Sequence, residues 1–339
     1  MKRPLIKLYH FLIFTLFSFS SCGVDSGEFL LEGEFKNFNQ GELYLYVADG
    51  AVHDIDTIAV VGGHFTHHLS IDLPTTYVLV FPNFSELPIF AESGAKVVVS
   101  GDASHLKEIE VEGTELNELM TKFRLQTAEQ TPPEVSQTAA QFIRDHGDTP
   151  AALYILNHVF IQTIPSNYEQ AAELVAELLK HRPDDKRLNV LSQQLQGLRH
   201  LHEGGMLPRF SATDIDGHTV NNANLNARVN VIHTMASWNY DSQSMYRKLL
   251  RLQREHGDTN LKVLSISVDA SERDCRRNFE RDSLKWSCIC DGRMWEQPIL
   301  TQLGLYFMPD NIIFDSRGKV LAHTVTTNEI DRKIEELLK

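Results

Sequence analysis

From residue 229 to the last residue, apolar runs of strand length alternate with runs of helical period, and that order leaves few folds open. The spacing predicts a strand over Val229–Met235, a helix over Ser242–His256, a strand over Leu261–Val268 and a helix over Ser271–Arg281. Strands over Asn311–Phe314 and Lys319–His323 and a helix over Asn328–Leu338 complete the series. A short strand around Ser287–Cys290 and a helix near Glu296–Leu303 sit before the final pair of strands. A strand, a crossover helix and a second strand place those strands parallel in one sheet, so the C-terminal region, residues 204–339, is expected to be α/β.

Upstream the pattern changes. Residues 28–112 carry short β-rich runs divided by turn residues: Phe29–Phe35, Leu43–Val47, Asp56–Val60, His64–Ser70, Tyr77–Phe81 and Lys96–Ser100. That spacing predicts an antiparallel β-sandwich. Gly62-Gly63 marks a hairpin, because both glycines tolerate positive φ. His64 and His68 share one strand face and His67 the other, so the three are expected to be solvated rather than metal-binding. Residues 113–203 read as a helical connector. Leu116, Leu119, Met120 and Phe123 form one apolar stripe, and Leu188, Leu191, Leu195, Leu198 and Leu201 another. Thr149-Pro150 and the Ser166/Glu169 pair give helix starts, and no motif recurs at a fixed period.

The first residues carry a different message. Lys2 and Arg3 precede an apolar run from Leu8 to Phe19, which reads as a signal peptide over residues 1–21 and is shorter than the roughly 20 residues needed to span a bilayer. Phe19-Ser20-Ser21-Cys22-Gly23 resembles the lipobox of bacterial lipoproteins. That resemblance implies lipidation of Cys22, a linker over 22–27, and a membrane-anchored chain on the periplasmic or outer face of the envelope. The formal charge of −13 argues against nucleic acid or anionic lipid as partners through the net field. No glycine-rich phosphate loop, zinc signature or acid pair appears, so no cofactor or metal is expected.

Within residues 204–339, Gly205-Met206-Leu207-Pro208-Arg209-Phe210-Ser211, Asp216-Gly217, Ala236-Ser237-Trp238, Ser265–Asp269 and Met308–Asp315 with Gly318 stand in the predicted loops and strands. In order and spacing they resemble thioredoxin-like envelope oxidoreductases of the TlpA type and, more loosely, the AhpC/TSA antioxidant family. Asp56-Thr57-Ile58, Gly63-His64-Phe65 and Val111–Asn117 resemble a small β domain of unknown function that precedes such domains in envelope lipoproteins.

In the redox-active relatives the tryptophan is followed by a Cys-x-x-Cys pair at a helix N-terminus, which stabilises the thiolate. The matching positions here are Asn239 and Ser242, and Asn239 has no ionisable proton. Ser242 as a nucleophile would need a positioned base, and the nearest histidine, His233, lies in the preceding strand with no motif joining them. Helix capping accounts for Asn239, Asp241 and Ser242. The remaining thiols are Cys275, Cys288 and Cys290. Cys288 and Cys290 would be strained as a pair, a bridge from Cys275 to either is open, and basic neighbours would lower the Cys275 pKa if it were exposed. The resemblance further implies a cis Pro309 whose preceding residue, Met308, offers its backbone to an extended peptide, with Trp238 and Asn239 as the facing wall.

Two functions follow. One is a redox-degenerate thioredoxin-like module that binds a peptide, an envelope partner protein or a small molecule around Trp238, Asn239, Met308 and Pro309. The other is a thiol-disulfide oxidoreductase or antioxidant acting through Cys275, Cys288 or Cys290.

Overall fold

The structure, a computed structural model, describes residues 27–48, 55–281 and 286–339. The expected signal peptide, Cys22 and all but the last residue of the linker lie outside the described residues. Among the described residues no helix is long and apolar enough to cross a membrane. The chain divides into two compact units, meeting between Thr121 and Lys122.

The first unit is built from β1 (Glu28–Lys36), β2 (Gln40–Val47), β3 (Asp56–Val61), β4 (His64–Ser70), β5 (Thr75–Val80), β6 (Glu86–Ala91), β7 (Lys96–Asp102) and β8 (Glu110–Glu112). They form one sheet in the order β6-β5-β2-β3-β4-β1-β7-β8. All pairs are antiparallel except β1 with β7, where Leu31 stands beside Val97. Gly62 and Gly63 take φ of 63° and 83° and turn β3 into β4, as the sequence predicts.

The expected sandwich is realised as a single sheet folded onto itself. Phe35 on β1 and Phe81 just after β5 come from strands four places apart, yet their rings pack edge to face at 5.7 Å. Phe29, Leu31, Leu43, Leu45, Leu79 and Ile89 lie in the enclosed core, each at most 1% exposed.

A helix, α1 (Glu115–Thr127), fastens the two free edges. Asn117 accepts from the Phe90 N–H at 3.0 Å and donates to its carbonyl at 2.8 Å on β6. One helical turn on, Thr121 Oγ1 makes the same two bonds to Val111 of β8, at 3.0 and 3.1 Å. His64 and His68 are exposed and His67 meets Asp56 at 3.3 Å, in keeping with solvated histidines.

The second unit opens with α2 (Pro132–Asp145), α3 (Pro150–Leu156), a π-turn (Asn157–Ile161), α4 (Tyr168–His181) and α5 (Lys186–Leu198). Thr149 caps α3 as predicted, its hydroxyl accepting from Ala152 N–H at 3.2 Å. The cap of α4 is Asn167 rather than Ser166, whose hydroxyl is turned back onto the Ile161 and Thr163 carbonyls.

A two-stranded ribbon, β9 (Ser211–Thr213) and β10 (Thr219–Asn221), leads into β11 (Val229–Met235), α6 (Tyr240–His256), β12 (Leu261–Ser267) and α7 (Glu272–Arg281). Then come β13 (Cys288–Ile289), α8 (Pro298–Leu303), β14 (Asn311–Asp315), β15 (Val320–His323) and α9 (Ile330–Leu338). The sheet order is β13-β12-β11-β14-β15, with β11, β12 and β13 parallel and β14 and β15 antiparallel. Helix α6 packs its Met245, Leu249 and Leu252 with Ile330 and Ile334 of α9 over Val229, Val231 and Val263. This strand order with its crossover helix is thioredoxin-like.

The helical segment belongs to the same compact unit as the sheet. Buried Tyr168 of α4 donates its hydroxyl to the Gly304 carbonyl at 3.2 Å, and Leu198 and Leu201 lie against Gly304. Gly304 takes φ of 65° to close α8, and a Cβ there would stand 2.6 Å from the Tyr168 hydroxyl oxygen.

Candidate functional site

The parallel strands β11 and β12 end on the same side of the sheet, and the loops that leave them carry the residues singled out above. After Met235 the chain runs through Ala236, Ser237, Trp238 and Asn239 before α6 begins. Asn239 is its N-cap: the side-chain oxygen accepts from Ser242 N–H at 2.8 Å. Ser242 is wholly buried, and its hydroxyl accepts from Ala236 N–H at 3.1 Å while facing the Ala236 and Asn239 carbonyls at 3.2 and 3.0 Å. Gln243 reinforces this by donating to the Ala236 carbonyl at 2.9 Å.

The geometry therefore gives Ser242 to the backbone. The nearest histidine is occupied elsewhere, since His233 Nε2 and Ser265 Oγ lie 2.8 Å apart in the sheet interior. Trp286 donates to the same hydroxyl at 2.9 Å. Indole nitrogen can only donate, so Ser265 accepts from it, and the direction of its bond with His233 depends on the imidazole tautomer. His233 Nδ1 is buried with no hydrogen-bond partner. Burial lowers the His233 pKa to about 4.

The residue that fixes this loop stands in one of the motifs noted in the sequence, which gave it no role. Asp269, just past β12, accepts from Ser237 N–H at 2.9 Å and Ser237 Oγ at 2.7 Å with one oxygen, and from Ser267 Oγ at 2.8 Å with the other. An acid closing an otherwise apolar strand run was the signal available for it. Beyond the clamp the loop points its aromatics outward: Trp238 is 59% exposed and Tyr240 78%.

On the neighbouring strand, Met308–Pro309 is a cis peptide bond. Both residues are half-buried. Thr234 ties them to β11: its N–H donates to the Asp310 carbonyl at 3.0 Å, and its hydroxyl donates to Phe307 carbonyl at 2.8 Å and accepts from Asp310 N–H at 2.7 Å. The residues expected to line one groove thus come to the same end of the sheet on two adjacent strands. The Asp310 carboxyl is buried beneath them, which raises its pKa to about 6.

The three thiols, whose exposure the sequence leaves open, are all buried. Cys275 is fully buried, because α7 turns it inward while Arg276 pairs outward with Asp216 and Glu272, and Arg277 with Asp274, so the condition for a lowered pKa is not met. Contact with Cys288 pushes the Cys275 thiol pKa up instead of down. Burial raises that of Cys288, and contact with Cys275 raises that of Cys290. Together with Met235 and Tyr246 they form one cluster, against which Ile215 and Trp286 pack. Among the described residues no group of three or more His, Cys, Asp or Glu is arranged to hold a metal.

With this geometry in place, comparisons with known proteins fall on separate parts of the chain. Residues 29–120 match the family described as Domain of unknown function (DUF4369). No curated protein matches. A domain provisionally assigned as the C-terminal domain of a thiol-disulfide oxidoreductase from Bacteroides thetaiotaomicron is similar at 27% identity and TM-score 0.36, covering 40% of this chain and 96% of that one. A thiol-disulfide oxidoreductase from Bacteroides fragilis is 24% identical at TM-score 0.35, covering 39% of this chain and 98% of that one. The thioredoxin domain of a thiol-disulfide oxidoreductase from Bacteroides vulgatus is 16% identical at TM-score 0.36, covering 41% and 99%. The chain thus joins a β unit resembling a family without assigned function to a unit whose own strand order makes it thioredoxin-like.

Proposed function

We propose that this chain is a lipid-anchored protein of the bacterial envelope whose thioredoxin-like unit binds an extended peptide or a partner protein and does not turn over thiols. One observation carries the reading: where a dithiol would stand, Asn239 caps the helix and Ser242 is buried on backbone, while Trp238 and Tyr240 beside them stay open to solvent. The clamp through Asp269 and the bonds from Thr234 hold both walls of the groove in place without a ligand, and such preorganisation favours binding. The alternative, exchange through Cys275, Cys288 or Cys290, accords with the names of the similar structures. It is disfavoured because the three thiols are at most 6% exposed.

The test uses a carboxymethylated, permanently unfolded polypeptide as probe. Fluorescence anisotropy should report binding to the wild-type chain, and Trp238→Ala should weaken it by roughly tenfold or more, as for an aromatic anchor. In the same preparation, reduction of a small disulfide by excess thiol should run no faster than in buffer. Catalysed exchange that disappears in Cys275→Ser would overturn the reading in favour of the oxidoreductase.

The anchor is checked separately. Growth with a labelled fatty acid should place label on the wild-type chain, and Cys22→Ala should abolish it and move the protein from the membrane to the soluble fraction. An unlabelled wild-type chain would remove the lipoprotein assignment.

A further inference from the structure

Cys275 lies in the first turn of α7 and Cys288 opens β13, at the edge of the sheet. Their sulfurs are 3.2 Å apart. A disulfide bond is about 2.05 Å long, so bond formation needs the sulfurs to approach by only about 1 Å more. Neither thiol is among the residues proposed to line the groove. Cys290 also contacts Cys275, while its Sγ donates to the Asp269 carbonyl at 3.8 Å; the 3.2 Å approach is between Cys275 and Cys288. Cys288 and Cys290 are separated by one residue at the end of a strand, a spacing too long for an unstrained bond.

We propose that Cys275 and Cys288 are an oxidation site that closes to a disulfide, fastening α7 to the sheet edge and leaving Cys290 as a free thiol. The proposal is independent of what the groove binds. The step is a two-electron exchange. In a local opening that brings one thiol to solvent, that thiol is deprotonated and attacks a small-molecule disulfide such as oxidised glutathione, releasing one glutathione thiolate. The second protein thiolate then attacks the mixed disulfide, forms the internal S–S bond and releases the second. The protein pair loses two electrons and two protons, and the small disulfide is reduced to two thiols. Because both sulfurs are buried, the bond once formed is shielded from attacking thiolates, which suits a lasting lock and not a catalyst that cycles.

The test equilibrates the full chain with oxidised or with reduced glutathione, blocks free thiols in denaturant and maps the peptides. The expected result is a linked pair joining the Cys275 and Cys288 peptides in the oxidised sample only, Cys290 alkylated in both, and a midpoint of thermal unfolding roughly 5–10 °C higher when oxidised. Cys290→Ser should keep the link and the shift, whereas Cys275→Ser should lose both. Three alkylated thiols in the oxidised sample, or a link that includes Cys290, would overturn the proposal. The wild-type comparison decides it even where a serine variant fails to fold.

Discussion

A chain carrying Asn239→Cys and Ser242→Cys together should reduce a small disulfide at a rate at least about 100-fold above wild type, by supplying the two thiols that exchange requires. Asn239 is half-buried at the N-cap and Ser242 fully buried one turn inside, so the outer thiol would meet the substrate and the inner one would resolve the mixed disulfide. The open N–H groups of α6 would lower the outer thiol from its ordinary pKa of about 8.5 toward 7, raising its thiolate fraction at neutral pH by roughly tenfold. Losing the asparagine cap costs about 1 kcal/mol, which a unit of this size tolerates. Asn239→Cys alone should stop at a trapped mixed disulfide, and Ser242→Cys alone should stay inactive. Stopped-flow reduction assays on the three variants check this. A double variant that titrates two accessible thiols yet shows no turnover would mean that the loop no longer holds active geometry, against a site degenerate only in its thiols.

Acidification should destabilise the second unit through His233. Its imidazole is neutral in the sheet, with a pKa near 4 against about 6.5 in the unfolded chain. Between those values the unfolded state binds the extra proton, so stability falls as pH falls, by about 3 kcal/mol once pH drops below 4. His323, which burial also lowers to about 4, acts in the same direction. Asp310 opposes both: its pKa near 6 lies above the unfolded value, so from pH 6 downward the native state takes up the proton and gains stability. Two imidazoles against one carboxyl leave a net loss. Urea unfolding at pH 7, 5.5 and 4 should show it, shallower in His233→Gln and steeper in Asp310→Asn. Equal slopes in all three proteins would show that these groups do not set the acid response.

The α/β unit was legible because its strands are buried on both faces and rich in β-branched and other apolar residues: Val229–Met235 was predicted to the residue, and Leu261–Ser267 to within one. Strand β6 was missed because Pro88 interrupts it. The proline is tolerated there because β6 is an edge strand with only one neighbour, β5. The capping role of Asn239 was readable from its residue type. The meeting of Cys275 with Cys288 was not, because thirteen positions of chain separate them and only the face that α7 turns inward brings them together. Likewise the exposure on which the basic neighbours of Cys275 would act was not readable, and helical geometry sends Arg276 and Arg277 outward and the sulfur in.

The helix that bonds to both β6 and β8 bears on where the first unit can be cut. An open sheet edge is a row of unpaired N–H and C=O groups that another chain can extend, and natural β proteins cover or interrupt such rows. Here Asn117 and Thr121 occupy backbone groups on both outermost strands at once, from a single turn of α1. A fragment ending at residue 112 would keep every strand and nearly all of the core, yet leave both rows as templates for other molecules. One ending past Thr121 would not. The length of chain needed to form the sheet and the length needed to cover both its edges therefore differ by nine residues, 113–121, and the family match, which runs to residue 120, ends within them.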